Sequence, residues 1–362
     1  GDKEAMFILA ICYGGGKGTE LNFKKAFYWY QKAAENGVKE AMFSLATCYL
    51  NGVGIERDLE KTFYWYQKAA ENDVKEAMFY LAMCYRNGVG IERNLEKTFY
   101  WCQKAANNGV REAMFYLAMC YRNGAGTDRN LEESFTWYQK AEKKGIKEAK
   151  YYIALCYGNG EGTRKNLKKA FEWYQEAAEN DIKEAMYYLA TCYIKGEGTQ
   201  KNLEKAFYWY QKAAENGVKE AMYSLAICYE NGEGTEKNLE KAFYWYQKAA
   251  ENGHANAMFN LANSYKNGKG TEKNLEKAFY WYQKAAENGN ELAMLNLVDY
   301  YHNYGVETER DLEKSFNWIQ NAAEKGNEEA MFNLAICYEN GKGIDKNLEK
   351  AFHWYQKAAE KG

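Results

Sequence analysis

Nine cysteines, three histidines and one glycine-rich loop are the residues of this 362-residue chain whose types could do chemistry. Thiols could pair as disulfides, hold zinc or act as nucleophiles. Cys12, Cys48, Cys84, Cys120, Cys156, Cys192 and Cys228 recur every 36 residues, and Cys337 continues the series. Equivalent positions in stacked repeats lie about 10 Å apart, a helix-packing distance, whereas a disulfide needs Cα atoms within about 7 Å. No CxxC or CxxxC pair offers zinc-binding spacing. The series reads as one small buried thiol per repeat, and unpaired thiols favour a reducing, intracellular compartment such as the cytoplasm. Cys102 stands outside the series, in place of a tyrosine. His254 falls in a turn between repeats, His302 in an irregular stretch and His353 on a solvated helix face, so no Ser-His-Asp or Cys-His set can be nominated. The loop GGGKGTE at 14–20 has the glycines of a phosphate loop, but Gly18 follows Lys17 where Ser or Thr is needed. The same loop recurs in every repeat. The expectation is no enzyme, no cofactor and no metal.

The elements that would position any site follow from the period. Trp29, Trp65, Trp101, Trp137, Trp173, Trp209, Trp245, Trp281, Trp318 and Trp354 are 36 residues apart, with one step of 37. Such a period marks a repeat array. In the second copy, Ala41, Leu45, Cys48 and Tyr49 form one apolar face of a first helix, helix A. Asn51-Gly52 ends it, because glycine accepts the left-handed geometry of a C-cap. Gly54 keeps the loop tight and Asp58 is a suitable N-cap for helix B. Helix B is expected to bury Leu59, Phe63, Trp65, Tyr66, Ala69 and Ala70, and to leave Glu60, Lys61, Gln67, Lys68 and Glu71 solvated. Helix pairs too apolar to stand alone must stack on their neighbours. Balanced charge, net −2, gives no footprint for nucleic acid. No apolar run is long enough to span a bilayer. A chain opening GDKEAMF without Met reads as cut from something longer.

These residues, A-x-x-x-L-A-x-x-Y-x-x-G-x-G-x-x-x-[DN]-L-x-K-A-x-x-W-Y-x-K-A-A-x-x-G, resemble the Sel-one-like repeat, a relative of the tetratricopeptide repeat, over the whole chain. Ala46 and its equivalents stand where that family usually has Gly, and the loop lacks Pro. The resemblance implies an all-α, right-handed α/α superhelical solenoid of about ten 36-residue repeats. It would be a single domain over 1–362 with repeats starting near 5, 41, 77, 113, 149, 185, 221, 257, 293 and 330. It also implies a scaffold for protein complexes. Such tandem copies further resemble arrays of arbuscular mycorrhizal fungi, which often accompany kinase domains.

With Ala41, Leu45 and Tyr49 inward, Phe43, Thr47, Leu50 and Ser44 face out, and in the related tetratricopeptide geometry that face lines a concave groove. Its contents change along the chain. Phe79-Tyr80, Phe115-Tyr116, Tyr151-Tyr152 and Tyr187-Tyr188 make an aromatic ladder flanked by Arg86 and Arg122, suited to an extended peptide or a sugar chain. Crowding of adjacent helices A would instead make the rings packing. Further on, Asn260, Asn263, Asn296, Asp299 and Asn333 could grip a peptide backbone. Asn263 and Asn296 match the asparagines of tetratricopeptide carboxylate clamps, but Phe259, Glu329 and Asn333 occupy the clamp's basic positions. The expected partner is thus a protein or peptide segment in the groove, with a glycan or cell-wall ligand, or a kinase-linked regulatory role, as alternatives.

The stretch LNLVDYYHNYGVETERDL at 295–312 breaks the rhythm. Tyr300 fills the Cys slot and Ile319 the Tyr slot of the same repeat, which reads as volume-conserving repacking. Neither end of the array carries a polar cap, so head-to-tail self-association or continuation in a longer parent is expected. Finally, Glu142 replaces an alanine and Lys150 a methionine across one inter-repeat turn, and the two are expected to neutralise each other within about 4 Å.

Overall fold

The structure, a computed structural model, describes residues 2–304 and 309–361, and side chains outside 298–311. Among the described residues the regular secondary structure is entirely helical. The chain forms two compact units, Gly1–Ile182 and Lys183–Gly362. The first contains α1 (Lys3–Gly15), α2 (Phe23–Glu35), α3 (Lys39–Asn51), α4 (Leu59–Glu71), α5 (Lys75–Asn87), α6 (Leu95–Asn107), α7 (Arg111–Asn123), α8 (Leu131–Lys143), α9 (Glu148–Asn159) and α10 (Leu167–Glu179). The second contains α11 (Lys183–Lys195), α12 (Leu203–Glu215), α13 (Lys219–Asn231), α14 (Leu239–Glu251), α15 (Ala255–Asn267), α16 (Leu275–Glu287), α17 (Glu291–Tyr304), α18 (Glu309–Glu324), α19 (Glu328–Asn340) and α20 (Leu348–Lys361). Odd helices are helix A of each repeat and even helices are helix B. Each unit is an α/α solenoid of helix-turn-helix repeats in which consecutive helices pack together.

Helices of this length are marginal alone, so burial must hold them. In α3 the buried side chains are Ala41, Met42, Leu45, Ala46, Cys48 and Tyr49, and a fully buried Leu contributes about 1.5–3 kcal/mol. In α4 they are Thr62, Tyr66, Ala69 and Ala70. Leu59, Phe63 and Trp65 are half-buried rather than core. The core of α4 is therefore a narrow stripe of one tyrosine among small residues, and Tyr66 fills it alone. Ile319 is likewise buried in its repeat; Tyr300 lies outside the residues whose side chains are described.

The chain ends its helices as expected. Gly52 is left-handed at φ 69° and its N–H donates to the Cys48 carbonyl. Asp58 accepts from the Lys61 N–H at 2.9 Å, a cap that typically contributes about 1 kcal/mol. The second glycine of the loop does more than tighten it. A Cβ built on Gly90, whose φ is +67°, would collide with the Leu59 carbonyl oxygen at the start of the preceding helix B. Gly54, Gly126 and Gly162 meet the equivalent carbonyls of Phe23, Leu95 and Leu131, whereas Gly18, in the first repeat, has nothing within 4 Å. This glycine lets one repeat dock on the one before it.

Candidate functional site

Each helix A presents a face to the side away from its core, and the side chains there are the candidate binding residues. The inner ring of each aromatic pair is packed. Phe43 sits 5.7 Å from Tyr66 of its own repeat and 5.6 Å from Tyr80 of the next. Phe115 repeats this with Tyr138 at 5.7 Å and Tyr152 at 5.3 Å, and Phe79 reaches Tyr116 at 5.6 Å. Two of the outer rings lie on the buried tyrosine of the preceding helix B. Tyr80 stacks on Tyr66 at 5.3 Å and Tyr152 on Tyr138 at 4.9 Å. Tyr151 contacts Tyr174, and Tyr187 contacts Tyr188 and Tyr210. The ladder is thus a stack of rings that line the surface, with one face of Tyr80 and one of Tyr152 taken by a neighbour. Tyr80 and Tyr188 remain exposed, and Tyr116 and Tyr152 are half-buried. Arg86 and Arg122 do not flank these rings at a distance. They lie over Tyr116 and Tyr152, 4.8 and 5.6 Å from the ring centroids.

In the second unit the same face turns polar. Asn263 Oδ1 accepts from the Tyr282 hydroxyl at 2.6 Å, the task that Thr47 performs for Tyr66 and Thr191 for Tyr210. Burial holds the Tyr282 phenol up at about 12. Asn260 borders the Tyr223 and Tyr246 hydroxyls. Asn296 Nδ2 donates to the Leu292 carbonyl at 2.9 Å, and its Oδ1 accepts from Lys266 at 3.4 Å. Asn333 is half-buried on α19, and the Asp299 side chain lies outside the described ones. Asn263 thus anchors the core on one side while edging the surface on the other.

A second row escaped the sequence reading. Tyr28, Tyr64, Tyr100, Tyr208, Tyr244 and Tyr280 on the outer side of helix B are each 48–51% exposed. Lysines one turn on, such as Lys68 over Tyr64 and Lys104 over Tyr100, cover their rings. The signal was present in the recurring FYWYQK, but Thr136 and Glu172 interrupt the row.

Residues with chemical potential have structural tasks. All nine cysteines are free thiols. His254 Nδ1 accepts from the Ala257 N–H and caps α15, and its ring stacks on Tyr223 at 4.4 Å. Burial lowers its pKa. His353 packs against Trp354, and His302 is outside the described side chains. In the 14–20 loop, Lys17 N–H closes the C-cap onto the Cys12 carbonyl. Among the described residues no group of three His, Cys, Asp or Glu could hold a metal, and no helix is long and apolar enough to cross a membrane.

The expected Glu142–Lys150 pair is not formed. Lys150 Nζ instead lies 2.7 Å from Glu176 Oε2, in helix B of its own repeat. The reason is where the methionine slot points. The Met78 sulfur meets Asn108, Met222 meets Asn252 and Met258 meets Asn288, each at the end of the same repeat's helix B. Glu176 occupies a slot held by Lys32, Lys68, Lys104 and Lys140 in the earlier repeats, so two compensating charge changes occur inside one repeat. Glu176 is half exposed, so we expect a coupling of about 0.5–1 kcal/mol in a double-mutant cycle of Lys150→Met and Glu176→Gln. Additive effects would show that the pair contributes nothing.

The Sel1 repeat family profile matches ten consecutive segments, 3–38, 39–74, 75–110, 111–146, 147–182, 183–218, 219–254, 255–290, 291–327 and 328–362. Among solved structures, the chain is similar to a protective antigen of uropathogenic Escherichia coli strains displaying an SLR fold. The two share 31% identity at TM-score 0.77, over 99% of this chain and 77% of the other. It is also similar to a Sel1 repeat protein from Oxalobacter formigenes, with 28% identity, TM-score 0.68, and coverage of 83% and 87%. Both relatives are bacterial. No curated protein matches the sequence.

Proposed function

The chain belongs to the Sel1 repeat family, and from that premise we propose that it is a non-catalytic scaffold holding an extended protein segment against the outward face of its helices A. Sel1 repeat proteins mediate protein–protein contacts. One observation carries the finer reading. Across the repeats the core slots of Ala41, Leu45 and Ala46 change only at Ile153 and Val298, both aliphatic, while the slot of Ser44 becomes Tyr80, Tyr116, Tyr152 and Tyr188, then Ser224, and then Asn260, Asn296 and Asn333. A slot that changes from aromatic to polar while the core beside it stays aliphatic is free to encode a ligand. The tyrosines offer rigid amphipathic area with a hydroxyl, and the asparagines offer paired donor and acceptor groups for a peptide backbone. A sugar chain is less well served, because it needs free ring faces and neighbouring rings occupy one face of Tyr80 and of Tyr152.

The test is crosslinking. With photoreactive benzoylphenylalanine in place of Tyr80 or Tyr116, a defined partner segment should be captured. With it in place of Tyr64 or Tyr100, on the outer side of helix B, it should not. Capture of one segment from the helix B positions alone would place the interface on the opposite face.

A further inference from the structure

Two substitutions in neighbouring repeats converge on one retained arginine in the first compact unit. Arg122, near the end of α7, has partners built for it. Its Nη2 lies 2.8 Å from Glu161 Oε2 in the loop after α9. Its guanidinium also stands beside the Tyr138 phenol, where its charge opposes the rise in pKa that burial causes. One repeat earlier the arginine is kept, as Arg86, and both partners are missing. Cys102 holds the slot of Tyr138, and Ala125 holds the slot of Glu161. Among the described residues no carboxylate pairs with Arg86, which keeps the Tyr116 ring at 4.8 Å.

The space left by the missing phenol and carboxylate is a cavity of about 120 Å³ between α6 and α7, bounded by Arg86, Thr98, Cys102, Tyr116, Met119 and Ala125. That is roughly the share of four water molecules in the liquid. Two of its polar groups are already directed elsewhere. The Thr98 hydroxyl donates to the Asn94 carbonyl at 2.8 Å, and the Cys102 thiol hydrogen-bonds to Cys120. Asn123 adds an amide, and the remaining lining is Leu95, Met119, Cys120, Ala125 and the Tyr116 ring. A guanidinium stays charged in such a place, and its planar fork matches a carboxylate.

We propose that this cavity is a carboxylate-binding site, with the headgroup on Arg86 and a short apolar carbon chain against Met119 and Cys102. The ligand then supplies from outside what Glu161 supplies within the next repeat. The site shares Tyr116 with the proposed binding face but does not depend on that reading, since a free carboxylate or an acidic side chain of another protein would each satisfy it.

The chain has eleven methionines, so methyl-¹³C labelling gives a resolved reporter at Met119 in the intact protein. We expect a saturable Met119 methyl shift on addition of sodium acetate, with sodium chloride at equal ionic strength as the control. A response to acetate assigns a free small carboxylate. A response only to an acetylated, amidated Glu-Glu peptide assigns an acidic side chain of a protein partner. Arg86→Gln should weaken either response by about ten-fold or more, the usual scale for one charge-assisted contact. Ala125→Glu should abolish it by filling the site from within, in an arrangement that Arg122 and Glu161 already adopt. The proposal is overturned if neither probe moves Met119, or if the shift persists unchanged in Arg86→Gln and in Ala125→Glu.

Discussion

Gly90→Ala should cost the first compact unit about 3–5 kcal/mol, a loss at the large end of single substitutions. Two terms combine. An alanine in left-handed backbone carries about 1–2 kcal/mol of strain, and Gly90 has φ +67°. Its Cβ would also drive into the Leu59 carbonyl, a backbone atom at the start of a helix that cannot turn aside. In a solenoid, stability is largely a sum over neighbouring interfaces, so forcing one repeat off its predecessor removes a whole interface. Gly18→Ala is the control, because that position is equally left-handed at φ +72° but meets nothing within 4 Å. It should cost only about 1–2 kcal/mol. Urea denaturation of the two variants separates strain from docking, and equal losses would show that the contact with Leu59 is unimportant.

Tyr66→Ala is expected to be comparably severe, at about 3–5 kcal/mol. Tyr66 is 1% exposed, stacks on Tyr80 and fills the centre of a helix B whose other buried residues are small. A cavity of about 120 Å³ already exists where Cys102 holds the equivalent slot. At ~24 cal/mol per Å³ a void of that size corresponds to about 3 kcal/mol. Tyr66→Phe should cost only about 1 kcal/mol. The Thr47 hydroxyl donates to the Phe43 carbonyl, so it acts as acceptor toward Tyr66 and keeps a partner when the phenol oxygen is removed. Thermal unfolding of the two variants would contradict this account if phenylalanine proved as damaging as alanine.

The fold was legible in the sequence because each repeat restates the same local rules. Asn51-Gly52, Asp58 and the Ala41–Leu45–Tyr49 stripe each act locally, and their caps and burial follow directly. What escaped required knowing which repeat a side chain faces. Trp65 looked like core because it is large and periodic, yet Tyr66 takes the centre and the indole is left at the rim. Lys150 was matched to Glu142 by closeness in sequence, whereas the methionine slot faces its own helix B. Glu176, the one acid in a lysine slot of the first unit, was the available clue. The cavity at Arg86 was harder still, because it needs the register of three repeats before Cys102 and Ala125 can be seen to vacate one place. On the binding face, the sequence located the rings and asparagines but not their employment. Only packing shows that Phe43, Phe79 and Phe115 wedge between repeats and that Asn263 anchors Tyr282.

The central claim is that the outward slot of helix A selects the partner while the core merely holds that slot in place. The segment captured from Tyr80 or Tyr116, prepared as a synthetic peptide, allows a direct affinity measurement. The variant carries Tyr80→Ser, Tyr116→Ser and Tyr152→Ser together, since serine already stands in this slot as Ser44 and Ser224 and is compatible with the packing around it. Loss of about 1 kcal/mol or more for each buried aromatic anchor should raise Kd by about a hundred-fold. The same three changes should leave the far-ultraviolet helical signal intact. An unchanged Kd in a folded triple variant would contradict the account.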